Sequence, residues 1–214
     1  MNLTVVTHTN KAWSRDLTKV TASVRDALPE NATHEIIELE DGYHNFLQAR
    51  YDAKKLNDVI VFVDDDDYIE KDSLHKIMEA MNETNAGIVF TNEVVVKEDK
   101  EIFNKPVTYY SAITFHPQAI HHMTAFNTKH IHDRSLELAQ KYNRGIEWIM
   151  RADAAISGGA YYLPINAYYW VQHENQHHKT VECQNSFINT IGSIKGELNK
   201  WNYRVGQIPT YQSS

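Results

Sequence analysis

Four consecutive aspartates, Asp64 to Asp67, follow directly after the apolar, β-branched run VIVFV at residues 59–63. Such a run is typical of a buried strand. Carboxylates about 4 Å apart repel by roughly 1 kcal/mol per pair in water, and by more where water is excluded. The cluster is stable if it is fully solvated, if some carboxylates are protonated, or if a cation lies among them. The aspartates by themselves leave a solvated turn and a cation site both open.

Alternating strands and helices are predicted around the aspartates in the first 97 residues. Strands are expected at Leu3–Thr7, His34–Gly42, Asp58–Val63 and residues 86–96. The apolar spacing between them predicts helices over Trp13–Leu28, Tyr43–Leu56 and Glu70–Met81. This order predicts an α/β fold with a doubly wound, mostly parallel sheet and right-handed crossovers.

Polar segments follow three of these strands: HTN at residues 8–10, EDG at residues 40–42, and the four aspartates. In a doubly wound sheet, ligands bind outside the carboxyl ends of the strands. Three polar segments at one rim therefore favour a binding site over a solvated turn. The chain has no glycine-rich dinucleotide fingerprint after the first strand and no P-loop sequence, which excludes those two nucleotide-binding classes.

The second half of the chain has a looser pattern. Residues 97–101 predict a hairpin or an exposed loop, residues 107–117 and 160–173 predict strands, and Ser135–Tyr142 and Ile146–Ile156 predict helices. Residues 181–203 predict an amphipathic helix that is interrupted by Gly192 and Gly196. Without a repeat or a flexible linker, the sequence predicts one domain of 214 residues with two lobes.

Composition and charge narrow the class of protein. The chain has 42% apolar residues, no apolar run long enough to cross a membrane, no signal peptide, and one cysteine, Cys183. These features predict a cytoplasmic protein without a membrane span or a disulfide framework. The net charge is −7, and residues 1–96 hold 9 Lys and Arg against 18 Asp and Glu. This acidity argues against general nucleic-acid binding and suits the first half to holding cations.

Four ordered segments of the chain carry a family resemblance. They are LTVVTHTN, EIIELEDGYH, QARYDAKKLNDVIVFVDDDDYIEKDSLHKIMEAM, and RGIEWIMRADAAISGGAYYLPINAYYWVQHENQ. Over Leu3 to Gln176 the chain resembles the nucleotide-sugar glycosyltransferases of the GT-A fold, the large inverting group with an Asp-x-Asp motif. The resemblance implies a Rossmann-like sheet with a smaller acceptor-side lobe. It implies a nucleotide-sugar-binding half at residues 1–97, an acceptor and catalytic half at 98–180, and a helical tail at 181–214.

The resemblance also implies a metal site. Asp64, Asp65 and Asp66 correspond to the Asp-x-Asp motif, with Asp66 as the ligand of Mn²⁺ or Mg²⁺, ions that bridge carboxylates to substrate phosphates. Asp64 and Asp65 would contact the waters of the metal, the ribose or the donor sugar, whereas Asp67 could instead cap the next helix. His173 corresponds to a late histidine that the family often supplies to the metal, although a histidine among aromatic residues is also commonly structural.

The resemblance further implies a base and a set of nucleotide contacts. Glu147 stands in GIEW where the family has an acidic pair, and would accept the proton of the acceptor hydroxyl. Its alternative role is that of a first-turn helix acid that interacts with the helix dipole. The nucleotide contacts that the resemblance implies are Thr7, Thr9, Asn10, Asp41 and Arg50, and a solvated helix residue is the alternative for Arg50.

The expected activity is a metal-dependent, inverting transfer of a hexose or pentose from a nucleotide diphosphate sugar, with UDP-sugars favoured. The expected acceptor is a hydroxyl on a glycan, a small molecule or a modified DNA base such as a hydroxymethylated one; the oligomeric state stays open. Two other classes remain. A nucleotidyltransferase would need a glycine-rich basic loop after the first strand, and THTNKAW has no glycine. A non-catalytic module that binds a divalent metal or a carbohydrate would need the aspartates but not Glu147.

Overall fold

The computed structural model of the chain describes residues 1–11, 15–40, 43–98, 100–104, 123–173, 181–202 and 210–211. The strands in these residues are β1 (Leu3–Asn10), β2 (Thr33–Leu39), β3 (Val59–Phe62), β4 (Tyr68–Ile69), β5 (Ile88–Lys97), β6 (Lys100–Asn104), β7 (Thr124–Asn127), β8 (Ala160–Val171) and β9 (Thr210–Tyr211). The helices are α1 (Thr18–Ala27), α2 (Tyr43–Asp52), α3 (Ser73–Thr84), α4 (Asp133–Tyr142), α5 (Ile146–Gly158) and α6 (Val181–Asn202). Short 3₁₀ helices span Ala53–Lys55 and Thr128–His130.

All nine described strands belong to one sheet. Its strand order is β2-β1-β3-β7-β5-β8-β4, with β6 paired to β5 and β9 paired to β8. The first three strands of this order are parallel, with Val5 opposite His34 on one side and Val61 on the other. Strand β5 runs parallel to β8. The carboxyl ends of β1, β2 and β3 therefore lie at the same rim, as the sequence predicts.

The sheet is mixed rather than mostly parallel. Strand β7 lies between β3 and β5 and is antiparallel to both. Strands β4 and β6 are also antiparallel to their neighbours. The α/β fold with helices on both faces is confirmed, but the sequence pattern misses β4 and β7. Each has only four residues or fewer, which is too short for a hydrophobic period to be recognised.

Side-chain alternation along the strands divides the core into two clusters, one on each face of the sheet. Val5 and Val61 pack with helices α1 and α3, for example against Val24 and Ile77. Val6, Ile60 and Phe62 belong to the cluster that contains α2, α4 and α5. Successive residues of a strand point to opposite faces, so strands with two apolar faces are covered on both sides.

Most predicted elements of the first half are found with small shifts of their ends. Helix α1 is shorter than the predicted helix, since it begins at Thr18 and residues 15–17 before it are not helical; residues 12–14 lie outside the described residues. The predicted strand at 107–117 also lies outside them. Gly192 and Gly196 do not interrupt α6, which is continuous. The division into a donor half, an acceptor half and a tail stays a prediction. No helix in the described ranges is long and apolar enough to cross a membrane.

Two glycines fix the start and the position of α5, the helix that carries Glu147. Gly145 precedes the helix with φ +73°, a left-handed conformation that costs a residue with a side chain more than glycine. At Gly87, before β5, a Cβ atom would lie 1.9 Å from the carbonyl oxygen of Ala154 in α5. The absence of a side chain at Gly87 therefore lets α5 approach the sheet closely.

Candidate active site

The four aspartates after β3 point in different directions and have different partners. Asp64 pairs with Arg50, Asp65 accepts a hydrogen bond from Thr9, and Asp66 contacts His173. Asp67 is 1% exposed and faces the sheet. The carboxylates thus do not form one solvated turn, because the backbone after Val63 distributes them among the surrounding elements.

Asp67 is a structural residue. Its carboxylate accepts a hydrogen bond of 2.7 Å from the hydroxyl of Tyr168 and one of 2.8 Å from the backbone N–H of Val171. The same Tyr168 hydroxyl accepts a hydrogen bond of 3.1 Å from the backbone N–H of Asp64. Tyr168 therefore ties the aspartate segment to β8 at two points. Asp67 does not cap the following helix, which begins at Ser73 after Asp72.

Asp66 follows β3 and His173 follows β8, and their side chains are in contact. Nε2 of His173 lies 2.6 Å from Oδ2 of Asp66. The Asp66 side chain is 20% exposed and the His173 side chain is 28% exposed, so a ligand can reach both. Two residues that the sequence analysis assigns to one metal are therefore adjacent. Within the described ranges, no cluster of three or more His, Cys, Asp or Glu side chains is arranged to hold a metal ion.

Asp65 is largely buried against β1. Thr9 donates a hydrogen bond of 2.7 Å from its hydroxyl to Oδ2 of Asp65. Burial raises the pKa of the Asp65 carboxyl, and the charges of Asp66 and Asp64 raise it further, against the opposing effects of the Thr9 hydrogen bond and Arg15. Bringing a cation to this point would favour the ionised form of Asp65.

Arg50 joins Asp64 to Glu147. Its Nη2 donates a hydrogen bond of 2.8 Å to Oδ1 of Asp64. Its Nε lies 3.0 Å from Oε1 of Glu147 and forms an ion pair with it but not a hydrogen bond. The Arg50 side chain is almost fully buried, whereas the Glu147 side chain is 42% exposed. Burial by itself would lower the pKa of Arg50, but the charges of Glu147 and Asp64 outweigh it and hold that pKa above its ordinary value.

A cleft lies between Asp64 and Glu147. The space between its walls, together with the open solvent at its mouth, is about 350 Å³. Arg151, one helical turn after Glu147, also lines the cleft and is 4% exposed. Burial lowers the pKa of Arg151 to about 10, and the nearby Glu147 opposes this change. The remaining walls are formed by Phe62, Met123, Thr124 and Phe126.

Of the other residues predicted to contact the nucleotide, Asn10 lies at the rim, whereas Thr7 does not. Asn10 ends β1 at the rim and is half-buried. Thr7 has no exposed surface, and its hydroxyl lies 3.0 Å from Nε2 of His34 on β2. The structure therefore places Thr7 within the sheet rather than beside the aspartates. Asp41 lies outside the described residues.

Sequence reasoning misses three charged or polar residues at this site. Arg15 lies 3.9 Å from Asp65 and 3.6 Å from Asp66, and Arg151 lines the cleft. His8 is 7% exposed between the rings of Phe46 and Phe62. Burial and, to a smaller extent, the charge of Arg50 lower the pKa of His8 to about 3. A histidine inside the apolar strand β1 is the one signal in the sequence that could have marked such a residue.

One family model matches the segment that carries Arg50 and the aspartates. Residues 46–136 match the model of glycosyl transferase family 2. Glu147 and His173 lie beyond this match. No curated protein sequence matches the chain significantly.

Solved structures of TarS from S. aureus resemble the chain in fold. TarS 1-349 in complex with UDP-GlcNAc superposes with a TM-score of 0.60 at 12% identity, covering 96% of this chain and 71% of that one. TarS 1-349 in complex with UDP gives 0.55 at 12% identity, covering 96% and 70%. A longer TarS structure gives 0.56 at 14% identity, and the chain spans only 37% of its length. Residues 46–136 thus match glycosyl transferase family 2, and the chain that contains them has the GT-A fold of nucleotide-sugar glycosyltransferases.

Proposed function

We propose that this chain is a metal-dependent, inverting glycosyltransferase that moves a hexose or pentose from a UDP-sugar to a hydroxyl acceptor. The observation that carries the proposal is the placement of Asp66 with His173, and of Asp64 with Glu147, around one rim of the sheet. The structures of TarS with UDP and with UDP-GlcNAc support the choice of uridine nucleotides as the first donors to test.

The residues present fit a divalent cation that arrives with its substrate. A carboxylate oxygen and an imidazole nitrogen are donors that suit Mn²⁺, and a carboxylate suits Mg²⁺. The two atoms are now joined by a hydrogen bond of 2.6 Å, which an ion would replace by binding both. Both side chains are partly exposed, so substrate oxygens and water can complete the coordination. Asp66 and His173 would hold the ion, and the ion would neutralise the charge of the departing diphosphate.

Glu147 is the proposed general base. In an inverting transfer, the acceptor oxygen attacks the anomeric carbon from the face opposite the leaving group, and its proton passes to a carboxylate. Glu147 lies in the first turn of α5 with its carboxylate at the cleft, where an acceptor can reach it. The transferred proton would go to a carboxylate oxygen of Glu147, and the electron pair of the broken glycosidic bond would leave with UDP.

The donor is proposed to lie across the ends of β1 and β3. Asp64 and Asp65 would contact the ribose, the donor sugar or the waters of the metal, with Thr9 orienting Asp65. Asn10 and Asp41 remain proposed contacts of the nucleotide, whereas Thr7 has no exposed surface with which to reach it. The acceptor is proposed to enter the cleft beside Glu147, where Phe62 and Phe126 offer apolar surface. Transfer of labelled sugar to hydroxymethylated DNA tests one macromolecular acceptor directly.

Thermal unfolding with nucleotides tests the proposal. Wild type and Asp66→Asn are heated with UDP, UDP-GlcNAc and a panel of other nucleotides and nucleotide sugars, each with and without Mn²⁺. A ligand at about 100 times its Kd that binds only the folded state stabilises it by roughly 2.7 kcal/mol. Asp26→Asn, an exposed aspartate on α1, is the matched control. We expect uridine nucleotides to stabilise the wild type and the control only with metal, and Asp66→Asn to lose this effect.

A chain whose unfolding midpoint responds to no nucleotide under any condition would not be a nucleotide-sugar transferase. Stabilisation by a nucleoside triphosphate alone would favour the nucleotidyltransferase class instead. Stabilisation by metal alone, with no nucleotide effect, would favour a non-catalytic metal-binding module.

A further inference from the structure

The guanidinium of Arg50 is held between two carboxylates that come from different elements. Arg50 lies on α2, Asp64 follows β3, and Glu147 begins α5. One edge of the guanidinium contacts Asp64 at 2.8 Å, and Nε contacts Glu147 at 3.0 Å. A planar guanidinium can contact two carboxylates at once in a fixed geometry, which the single point charge of a lysine cannot reproduce.

Aromatic rings confine this guanidinium on its faces. Its Cζ lies 4.9 Å from the ring centroid of Phe46 and 4.4 Å from that of Phe62. With 2% exposure, Arg50 has little surface for a direct contact with a nucleotide. Its Nη1 has no hydrogen-bond partner but is buried, so a nucleotide phosphate could reach the guanidinium only if the surrounding side chains moved.

Glu147 needs such a partner. Its side chain is 42% exposed and has three rotatable bonds, so the helix alone does not aim its carboxylate. The contact with Arg50 restricts Glu147 to the wall of the cleft that Asp64 also lines. Misplacing a reacting group by about 1 Å can cost roughly 100-fold in rate.

We propose that Arg50 is a positioning residue that aims the Glu147 carboxylate at the acceptor and fixes it relative to Asp64, rather than a direct nucleotide contact. This inference rests on the proposed function, since it assigns Arg50 a task within the same reaction. Arg50 acts only through Glu147 and Asp64, and it exchanges no proton with the substrate.

The test separates turnover from nucleotide affinity. Release of UDP from UDP-GlcNAc is measured with Mn²⁺ and water as the acceptor, and the Kd of UDP is measured by calorimetry. For Arg50→Lys we expect kcat to fall by about 10-fold or more, as for a misplaced base. We expect the Kd of UDP to change by less than about 3-fold, because the lost interaction matters only in the transition state. Arg25→Lys, an exposed arginine on α1, is the matched control.

A double variant tests whether Arg50 acts through the base. Once Glu147→Gln has removed the base, Arg50→Lys should lower kcat much less than it does in the wild type, because residues that act as a unit are not additive. A Kd of UDP raised by about 10-fold or more in Arg50→Lys, with kcat unchanged, would overturn the positioning role and favour a direct nucleotide contact. Losses that add in the double variant would overturn it as well.

A second variant covers the case in which Arg50→Lys does not fold. Phe46→Leu removes one ring beside the guanidinium and leaves all three charged groups in place. We expect it to lower kcat by about 3-fold or more without changing the Kd of UDP. A wild-type kcat in Phe46→Leu would contradict the positioning role. If the wild type itself neither binds UDP nor releases it from UDP-GlcNAc, the proposed function fails, and the role of Arg50 in it fails too.

Discussion

Nε2 of His173 lies 2.6 Å from Oδ2 of Asp66, although 107 positions separate the two residues in the chain. The contact brings the end of β8 to the aspartates after β3. It places one imidazole and one carboxylate where a cation that accompanies a diphosphate could bind both.

Replacing His173 by glutamine tests this contact. We expect the Kd of Mn²⁺ in the presence of UDP to rise by roughly 10-fold or more. Losing a residue that only hydrogen-bonds to a metal ligand already costs about that much, and His173 would be a ligand itself. Titration calorimetry of Mn²⁺ into the UDP-bound protein measures it. His75→Gln, an exposed histidine on α3, provides the comparison. Equal Kd values in His173→Gln and wild type would make His173 a structural partner of Asp66 only.

Replacing Glu147 by glutamine tests the base. We expect kcat for UDP release from UDP-GlcNAc to fall by about 100-fold to 10,000-fold, the usual contribution of general base catalysis. The Kd of UDP should change little, because the amide keeps the size of the side chain. Glu137→Gln, at an exposed position on α4, should behave as wild type. A fully active Glu147→Gln would remove Glu147 from the mechanism.

Removing the Tyr168 hydroxyl should destabilise the protein. In Tyr168→Phe, the buried carboxylate of Asp67 loses a hydrogen bond of 2.7 Å and keeps the one from Val171. Leaving a buried polar group unsatisfied costs about 1–3 kcal/mol, so urea denaturation should show a loss of this size. The neighbouring Tyr169 hydroxyl bonds Glu70 at the surface, and Tyr169→Phe should cost no more than about 0.5 kcal/mol. Similar losses in both variants would contradict a special role for Tyr168.

His8 should make the free energy of unfolding depend on pH. Its pKa is lowered to about 3 in the folded protein, chiefly by burial, so the folded state holds the imidazole neutral while the unfolded chain protonates it below its ordinary value of 6.5. The contribution of neutral His8 to the free energy of unfolding is complete above pH 6.5 and is lost as the pH falls towards 3. At two pH units below the ordinary pKa the loss is about 2–3 kcal/mol.

Denaturation of wild type and His8→Gln across this pH window measures the effect. We expect the stability of the variant to fall less steeply with decreasing pH, because it has no imidazole at this position. The exposed His75→Gln should follow the wild-type slope. Parallel slopes for His8→Gln and wild type would show that His8 does not resist protonation.

Much of the architecture could be predicted from local sequence patterns. The apolar run at 59–63 predicts the buried strand β3, and the helical spacing at Leu74, Ile77 and Met81 predicts α3. Both are confirmed. The short strand β7 could not be predicted, because its four residues lie in a polar, histidine-rich segment and become buried only between β3 and β5.

The sequence by itself determined the alternation of strands and helices and the position of the aspartates after a buried strand, because both follow from side-chain periodicity within a few residues. Only the tertiary structure decided how the four carboxylates divide their partners. Asp67 turns inward to Tyr168, Asp66 meets His173, and Asp64 meets Arg50. Arg50 in turn contacts Glu147 because α2, β3 and α5 converge on one cluster of the core. Such contacts join residues far apart in the chain, and their geometry depends on how the elements pack rather than on any local pattern.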